Sequence, residues 1–222
     1  MAKSVTTVEE AISVERLSPY CHVSGGDLDA AVQLYIWNAA ISGAFWIDIA
    51  HLEIFVRNAM HMQLTQWSIK QHNEPRWYLD PAGILTPRRT TDIAIARARL
   101  TDGHRPKPET PGRVIAEIPL GFWRFLVSGH YELTLWRWCL HHGFAGQPRR
   151  RPLHDRLSRL HGLRNRIAHH EPIHRQPLAQ HHNDLLTLVQ WINPQLRNWI
   201  EAHSTVRSTL ATRPVALHAT SR

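Results

Sequence analysis

Arg164, Asn165 and His169 lie in the run Leu163-Arg164-Asn165-Arg166-Ile167-Ala168-His169-His170-Glu171-Pro172-Ile173, which gathers guanidinium, carboxamide and imidazole groups without an acidic cluster. A guanidinium presents a planar fork of donors that matches a phosphodiester, and an imidazole takes and returns a proton near neutral pH. Together they supply the two needs of RNA cleavage without a metal. The bare spacing is common in this chain. Six Arg-x-x-x-x-His pairs occur: Arg99/His104, Arg137/His142, Arg149/His154, Arg156/His161, Arg164/His169 and Arg213/His218. Composition alone predicts roughly two. What separates Arg164 from the others is its surroundings. On a regular helix it falls at the centre of the apolar stripe Leu153, Leu157, Leu160, Leu163 and Ile167, where a leucine would be expected.

A charge on an apolar face needs a partner or a cleft. Glu53 and Arg57, one turn apart in an otherwise apolar helix, are the expected network for Arg164. Arg166 and His170, and the Pro-bounded basic loop Gln147-Pro148-Arg149-Arg150-Arg151-Pro152, are the further residues suited to a phosphate backbone. Residues five apart stand about 140° apart around a helix, so Arg164 and His169 of one chain need not face the same atom. Either the long arginine stem wraps toward the helix end, or two copies meet across a two-fold axis and share a site; the dimer is the favoured solution. His170-Glu171-Pro172-Ile173-His174 matches the zinc-peptidase pattern H-E-x-x-H, but Pro172 interrupts the helix that the pattern requires. His141-His142 and His181-His182 lack Cys or carboxylate companions at ligand spacing and read as surface or core-edge residues. No metal and no cofactor are expected.

The elements that must position these residues read as all-α. Hydrophobic residues make up 43 % of the 222, enough for one large core, and the β-branched alternation of strands is scarce. Short helical pieces from Val8 to Val23 are expected to end at Pro19. The apolar steps from Leu28 to about Ile69 predict two core helices bent at Ser42-Gly43. Arg88 to Leu100 follows, then Gly112 to Phe144 with breaks at Pro119 and Gly129. The motif helix spans Leu153 to His169, and a last helix runs from Leu178 to about Ala202. Residues 1–202 read as one domain and residues 203–222 as a flexible tail.

The net charge of +8 and a pI near 10.3 suit polyanionic partners. The excess is almost entirely arginine, with Lys3, Lys70 and Lys107 the only lysines. Cys21 and Cys139 read as buried reduced thiols, and the start of the chain lacks the apolar core of a signal peptide. A cytoplasmic protein without membrane association is expected.

Several separated segments resemble the Abi-like (abortive infection) proteins of the HEPN superfamily. They are Arg16-Leu17-Ser18-Pro19-Tyr20, Leu52-Glu53 with Val56-Arg57-Asn58-Ala59, Trp77-Tyr78-Leu79-Asp80, Gly112 to Glu117 with Gly121-Phe122-Trp123, and Leu163 to Ile173. The resemblance spans about residues 13 to 200. It implies a HEPN-like helical bundle, dimeric through the motif helix, with an Arg-polar-x-x-x-His signature at the mouth of a cleft between subunits. That signature maps onto Arg164, Asn165 and His169. The implied activity is a metal-independent endoribonuclease acting in phage defence or as a toxin, controlled by an antitoxin protein or a regulatory RNA. His169 would transfer the proton at the ribose 2′-hydroxyl or the leaving oxygen, Arg164 would stabilise the phosphate, and Asn165 would orient one of them. Some relatives are instead non-catalytic modules that bind RNA or protein.

Overall fold

The core is organised around one helix. In the computed structural model, which describes residues 7, 10–102, 106–146 and 149–214, Leu28–His72 forms an unbroken helix of 45 residues. We number the helices α1 (Val14–Val23), α2 (Leu28–His72), α3 (Pro87–Thr101), α4 (Pro111–Glu117), α5 (Leu120–Leu126), α6 (Arg150–Ala168), α7 (Leu178–Ile192), α8 (Pro194–His203) and α9 (Val206–Ala211). The chain is all-α, with no strand among the described residues. Gln147 and Pro148 of the basic loop, His104, His218 and residues 215–222 lie outside the described residues.

The Asp27 carboxylate accepts from Ala30 N–H at 3.0 Å to start α2, and Asn73, at φ 54°, closes it in the left-handed region. The bend expected at Ser42-Gly43 is absent. A glycine costs only about 1 kcal/mol against alanine in a helix, and the buried Ile41, Ala44 and Phe45 on either side hold the register. The buried face continues through Ile49, Leu52, Val56, Met60 and Leu64, against which α1, α5, α6, α7 and α9 pack. By length and composition α2 could also cross a membrane: its most apolar window has a mean hydropathy of 1.5, with 39% of that window buried. The exposed remainder forms a stripe of Ile36, Trp46, Ile47 and Ile54, with Ala39, Ala40, Gly43 and Ala50 between them.

Three other expectations change. Pro19 lies inside α1 and does not end it; the carbonyl deprived of its partner belongs to Glu15, an exposed residue. The last helix is two, because Pro194 drives Asn193 out of helical geometry to φ -162°, where the Asn193 side chain accepts from Gln195 N–H at 2.8 Å and starts α8. The segment read as a tail from His203 carries α9: Val206 is fully buried, and Trp37 Nε1 donates to the Thr209 carbonyl at 2.8 Å.

The motif helix α6 keeps its expected stripe, with Leu153, Leu157, Leu160, Leu163 and Ile167 all buried. Asp184 of α7 fixes its rotation, accepting from Arg159 Nε at 2.7 Å and Nη2 at 3.1 Å while Arg156 Nε stands 3.3 Å away. On the other side α6 meets α5 so closely that a Cβ on Gly121 would lie 3.0 Å from His161 Nε2. Gly121→Ala must displace the His161 ring by a few tenths of an ångström and is therefore expected to gain less than the roughly 1 kcal/mol that alanine brings to an open helical position, seen as a lower melting temperature than that of Gly112→Ala. Gly112→Ala, with open space around it, is the control that leaves the melting temperature no lower.

Candidate functional site

Arg164 leaves the Leu-rich face of α6 half-buried and turns toward α2. Its Cζ stands 5.3 Å from the centroid of Trp46, and Arg164, Trp46, Ile49, Ala50 and Glu53 line a cavity of about 70 Å³. A cation over an indole face is attracted by the ring quadrupole. That contact, rather than an ion pair, accommodates the charge: among the described residues no salt bridge joins Arg164 to Glu53.

Glu53 has another task. Its Oε1 accepts from Leu120 N–H at 2.9 Å, satisfying one of the unpaired donors at the start of α5. Arg57 donates from Nε to Asn58 Oδ1 at 3.3 Å and takes no part in holding Arg164. The Glu53–Arg57–Arg164 network expected from the sequence is thus not formed, although Glu53 and Arg164 do share a cavity. His161, one turn before Arg164, is held below its usual pKa by burial, with the Arg124 and Arg164 charges adding to the effect.

At the helix end, His169 N–H donates to the Asn165 carbonyl at 3.0 Å, so these two residues are joined through backbone. The His169 side chain is exposed and makes no hydrogen bond among the described residues. His170 follows at φ 55°, and its carbonyl accepts from Arg16 Nη2 of α1. Glu171 N–H returns to the Arg166 carbonyl at 2.8 Å, and the Glu171 carboxylate meets Arg166 Nη1 at 3.0 Å. The helix has ended by Ala168, and His174 is buried against Tyr20 at 4.8 Å between ring centroids, so the H-E-x-x-H residues do not occupy successive helical turns. Among the described residues, no group of three or more His, Cys, Asp or Glu side chains is arranged to hold a metal.

The turn after α6 closes one side of a cleft of about 450 Å³ whose other walls are α1 and α2. Arg16, Tyr20, Tyr35, Asn38, Trp46 and His170 line it. Trp46 therefore belongs to both the cleft and the smaller cavity of Arg164. Burial raises the Tyr20 phenol to a pKa of about 12, so it stays neutral near pH 7. Arg16 and Tyr20 stood within a resemblance segment without being singled out as site residues. Asn38, Tyr35 and Trp46 fall within the Leu28 to Ile69 stretch, whose apolar spacing carries no sign of a site.

The three consecutive arginines separate from this group. Arg150 is mostly buried, donating to the Val127 carbonyl at 2.9 Å and to Glu132 at 3.2 Å, which makes it a structural residue instead of an exposed phosphate ligand. Arg149 and Arg151 are exposed, and Arg151 stands 3.8 Å from Asp155. They lie at the opposite end of α6 from His169, roughly 27 Å away at 1.5 Å per residue. His181 and His182 are core residues, not surface ones, at 5% and 3% exposed. No protein-family model, curated protein or solved structure matches the chain.

Proposed function

We propose that the chain is a metal-independent endoribonuclease of the Abi and HEPN type, acting in phage defence or as a toxin in the cytoplasm. The reading rests on one juxtaposition. His169, exposed at the end of α6 with no hydrogen bond to its imidazole among the described residues, directly precedes His170, which lines a cleft that also holds the Arg16 guanidinium, with Arg164 a turn and a half behind. The resemblance of the segments around residues 16, 53, 78, 114 and 164 to Abi-like proteins supports it.

In the proposed reaction an imidazole takes the proton from a ribose 2′-hydroxyl as that oxygen attacks phosphorus. The 5′-oxygen leaves with a proton from a second acid, giving a 2′,3′-cyclic phosphate and a 5′-hydroxyl. Arg164 stabilises the charge on the phosphoryl oxygens, and Asn165 orients His169 or a phosphate oxygen. One chain offers one such His at the end of α6, so a second copy is proposed to supply the acid. Support for a dimer comes from the exposed apolar stripe of Ile36, Ile47 and Ile54 on α2, where Ala40 and Ala50 permit close helix approach beside the cleft that Trp46 lines. Control by an antitoxin protein or a regulatory RNA belongs to the same proposal.

A second reading, a non-catalytic module that binds RNA or protein, is favoured by one observation: Arg164 stacks on Trp46 while His169 leaves from the helix end, so the two do not converge within one chain. The deciding experiment is wild type against Arg164→Ala and Arg164→Lys on total cellular RNA in EDTA, with analysis of fragment ends. The nuclease reading expects cyclic phosphate ends from wild type. It also expects a loss of about 10²–10³-fold in rate for Arg164→Ala, with lysine recovering only part because it lacks the planar fork. Folded, dimeric wild type that binds RNA without cutting it would establish the module.

A further inference from the structure

The cleft between α1, α2 and the end of α6 has walls that the cleavage chemistry leaves unused. Its volume of about 450 Å³ is in the range of small-ligand pockets, roughly 300–1,000 Å³. Tyr20, Tyr35 and Trp46 give it flat aromatic surfaces, and Tyr20 meets Tyr35 edge-to-face at 5.4 Å. Arg16, Asn38 and Ser42 give it polar edges.

Asn38 carries the specific chemistry. It is only 7% exposed, and its Oδ1 accepts from Ile173 N–H at 2.8 Å and from His174 N–H at 3.0 Å. Two backbone donors on one atom fix which end of the carboxamide is oxygen. The amide nitrogen has no partner among the described residues, in a side chain that lines the cleft. A donor that opens into the cleft without a protein partner is a place for a ligand's acceptor. Arg16 is likewise a donor only, with one N–H given to the His170 carbonyl and the others remaining.

We infer that this cleft holds one base of the RNA beside the cleaved phosphate, and that it selects a base with a carbonyl on its edge, uracil or guanine, over adenine. The base stacks on the aromatic walls, as unpaired bases do in single-strand recognition. The Asn38 amide then donates to uracil O4 or guanine O6; in the same pose adenine sets its amino group against that donor, and the Oδ1 that could accept from it is already taken by two backbone N–H groups. Trp46 couples the base to the chemistry, because the ring that walls the cleft also carries Arg164. The inference takes its polymer, RNA, from the ribonuclease reading.

Two 2′-O-methyl hexanucleotides, all uracil and all adenine, test it without cleavage, since the attacking hydroxyl is blocked. Binding is read by fluorescence anisotropy at one fixed salt concentration for wild type and Asn38→Asp. The aspartate keeps the oxygen that the two backbone donors need and replaces the donor by an acceptor. Wild type is expected to prefer uracil by about tenfold, and Asn38→Asp to erase or reverse that ratio. The ratio is insensitive to the general weakening that a new negative charge brings. Equal binding of the two by wild type, or the same ratio in a folded Asn38→Asp, overturns the inference. Photocrosslinking of a 5-bromouracil hexamer to wild type, mapped by mass spectrometry, serves if the variant does not fold: crosslinks at Trp46, Tyr35 or Tyr20 support the cleft, and crosslinks confined to other regions overturn it. Cleavage of ordinary RNA is assayed separately. Uracil-selective binding without cleavage keeps the inference and removes the nuclease, while cleavage by a protein that binds both hexamers equally does the opposite.

Discussion

Alanine at position 169 is expected to slow RNA cleavage by about 10²–10⁴-fold while leaving the melting temperature within a degree or so of wild type. The second half of that expectation makes the first informative. His169 is exposed, its imidazole has no partner among the described residues, and the bond that closes α6 runs from its backbone N–H to the Asn165 carbonyl. Alanine keeps that bond. Single-turnover rates on a defined RNA, with thermal unfolding of the same samples, measure both quantities. The neighbouring His170 needs a different substitution, because at φ 55° an alanine would be strained whereas glycine would not. Cleavage that survives in His169→Ala and collapses in His170→Gly would transfer the acid and base role to His170.

Stability is expected to fall steeply as pH drops below about 6.5, before the carboxylates begin to protonate. His174, His181 and His182 are buried, and each is held below its usual value of 6.5 chiefly by burial. Neighbouring guanidiniums push in the same direction: Arg175 and Arg213 at His174, Arg159 at His181 and Arg207 at His182. Asp184 at His181 and Glu201 at His182 act against it. The folded state therefore keeps these rings neutral while the unfolded chain takes up protons below 6.5. Their contribution is fully present above the unfolded value and is lost as pH falls from there toward the lower folded values. Each ring that stays neutral costs up to about 1.4 kcal/mol per pH unit in that window. Urea unfolding at pH 7.5, 6.5 and 5.5 reads the slope, and a flat profile would show that water reaches these rings. Replacing His174 by phenylalanine, which retains the face against Tyr20, is expected to shallow the slope.

The buried stripe of α6 was legible because its residues repeat at helical spacing and every one packs inward, a pattern that local sequence carries in full. The same logic found α2 and failed over its continuity, since the effect of Gly43 depends on neighbours that hold the register from outside the local window. The site was legible only in part. Arg164 reads from the sequence as a charge on an apolar face that needs a partner; the group it stacks on is Trp46, and Glu53 is engaged by Leu120, 67 residues further on. Nothing in the spacing of residues 53 and 164 could show that a third element would claim the carboxylate. The cleft has the same origin: Arg16, Asn38 and His170 meet only because α1 and the turn after α6 close on one side of α2. Its Asn38 reads as a polar interruption of a core helix until the two backbone donors from residues 173 and 174 are seen.

If the proposed nuclease reading holds, the length of α6 sets a scale for the substrate. Its 19 residues hold Arg149 and Arg151 at one end and His169 at the other, roughly 27 Å apart at 1.5 Å per residue. A strand stacked at about 3.4 Å per nucleotide covers that distance in about eight nucleotides. On the proposed nuclease reading, an RNA shorter than this would meet the imidazole or the arginines but not both, and α6 would act as a ruler that favours longer single strands.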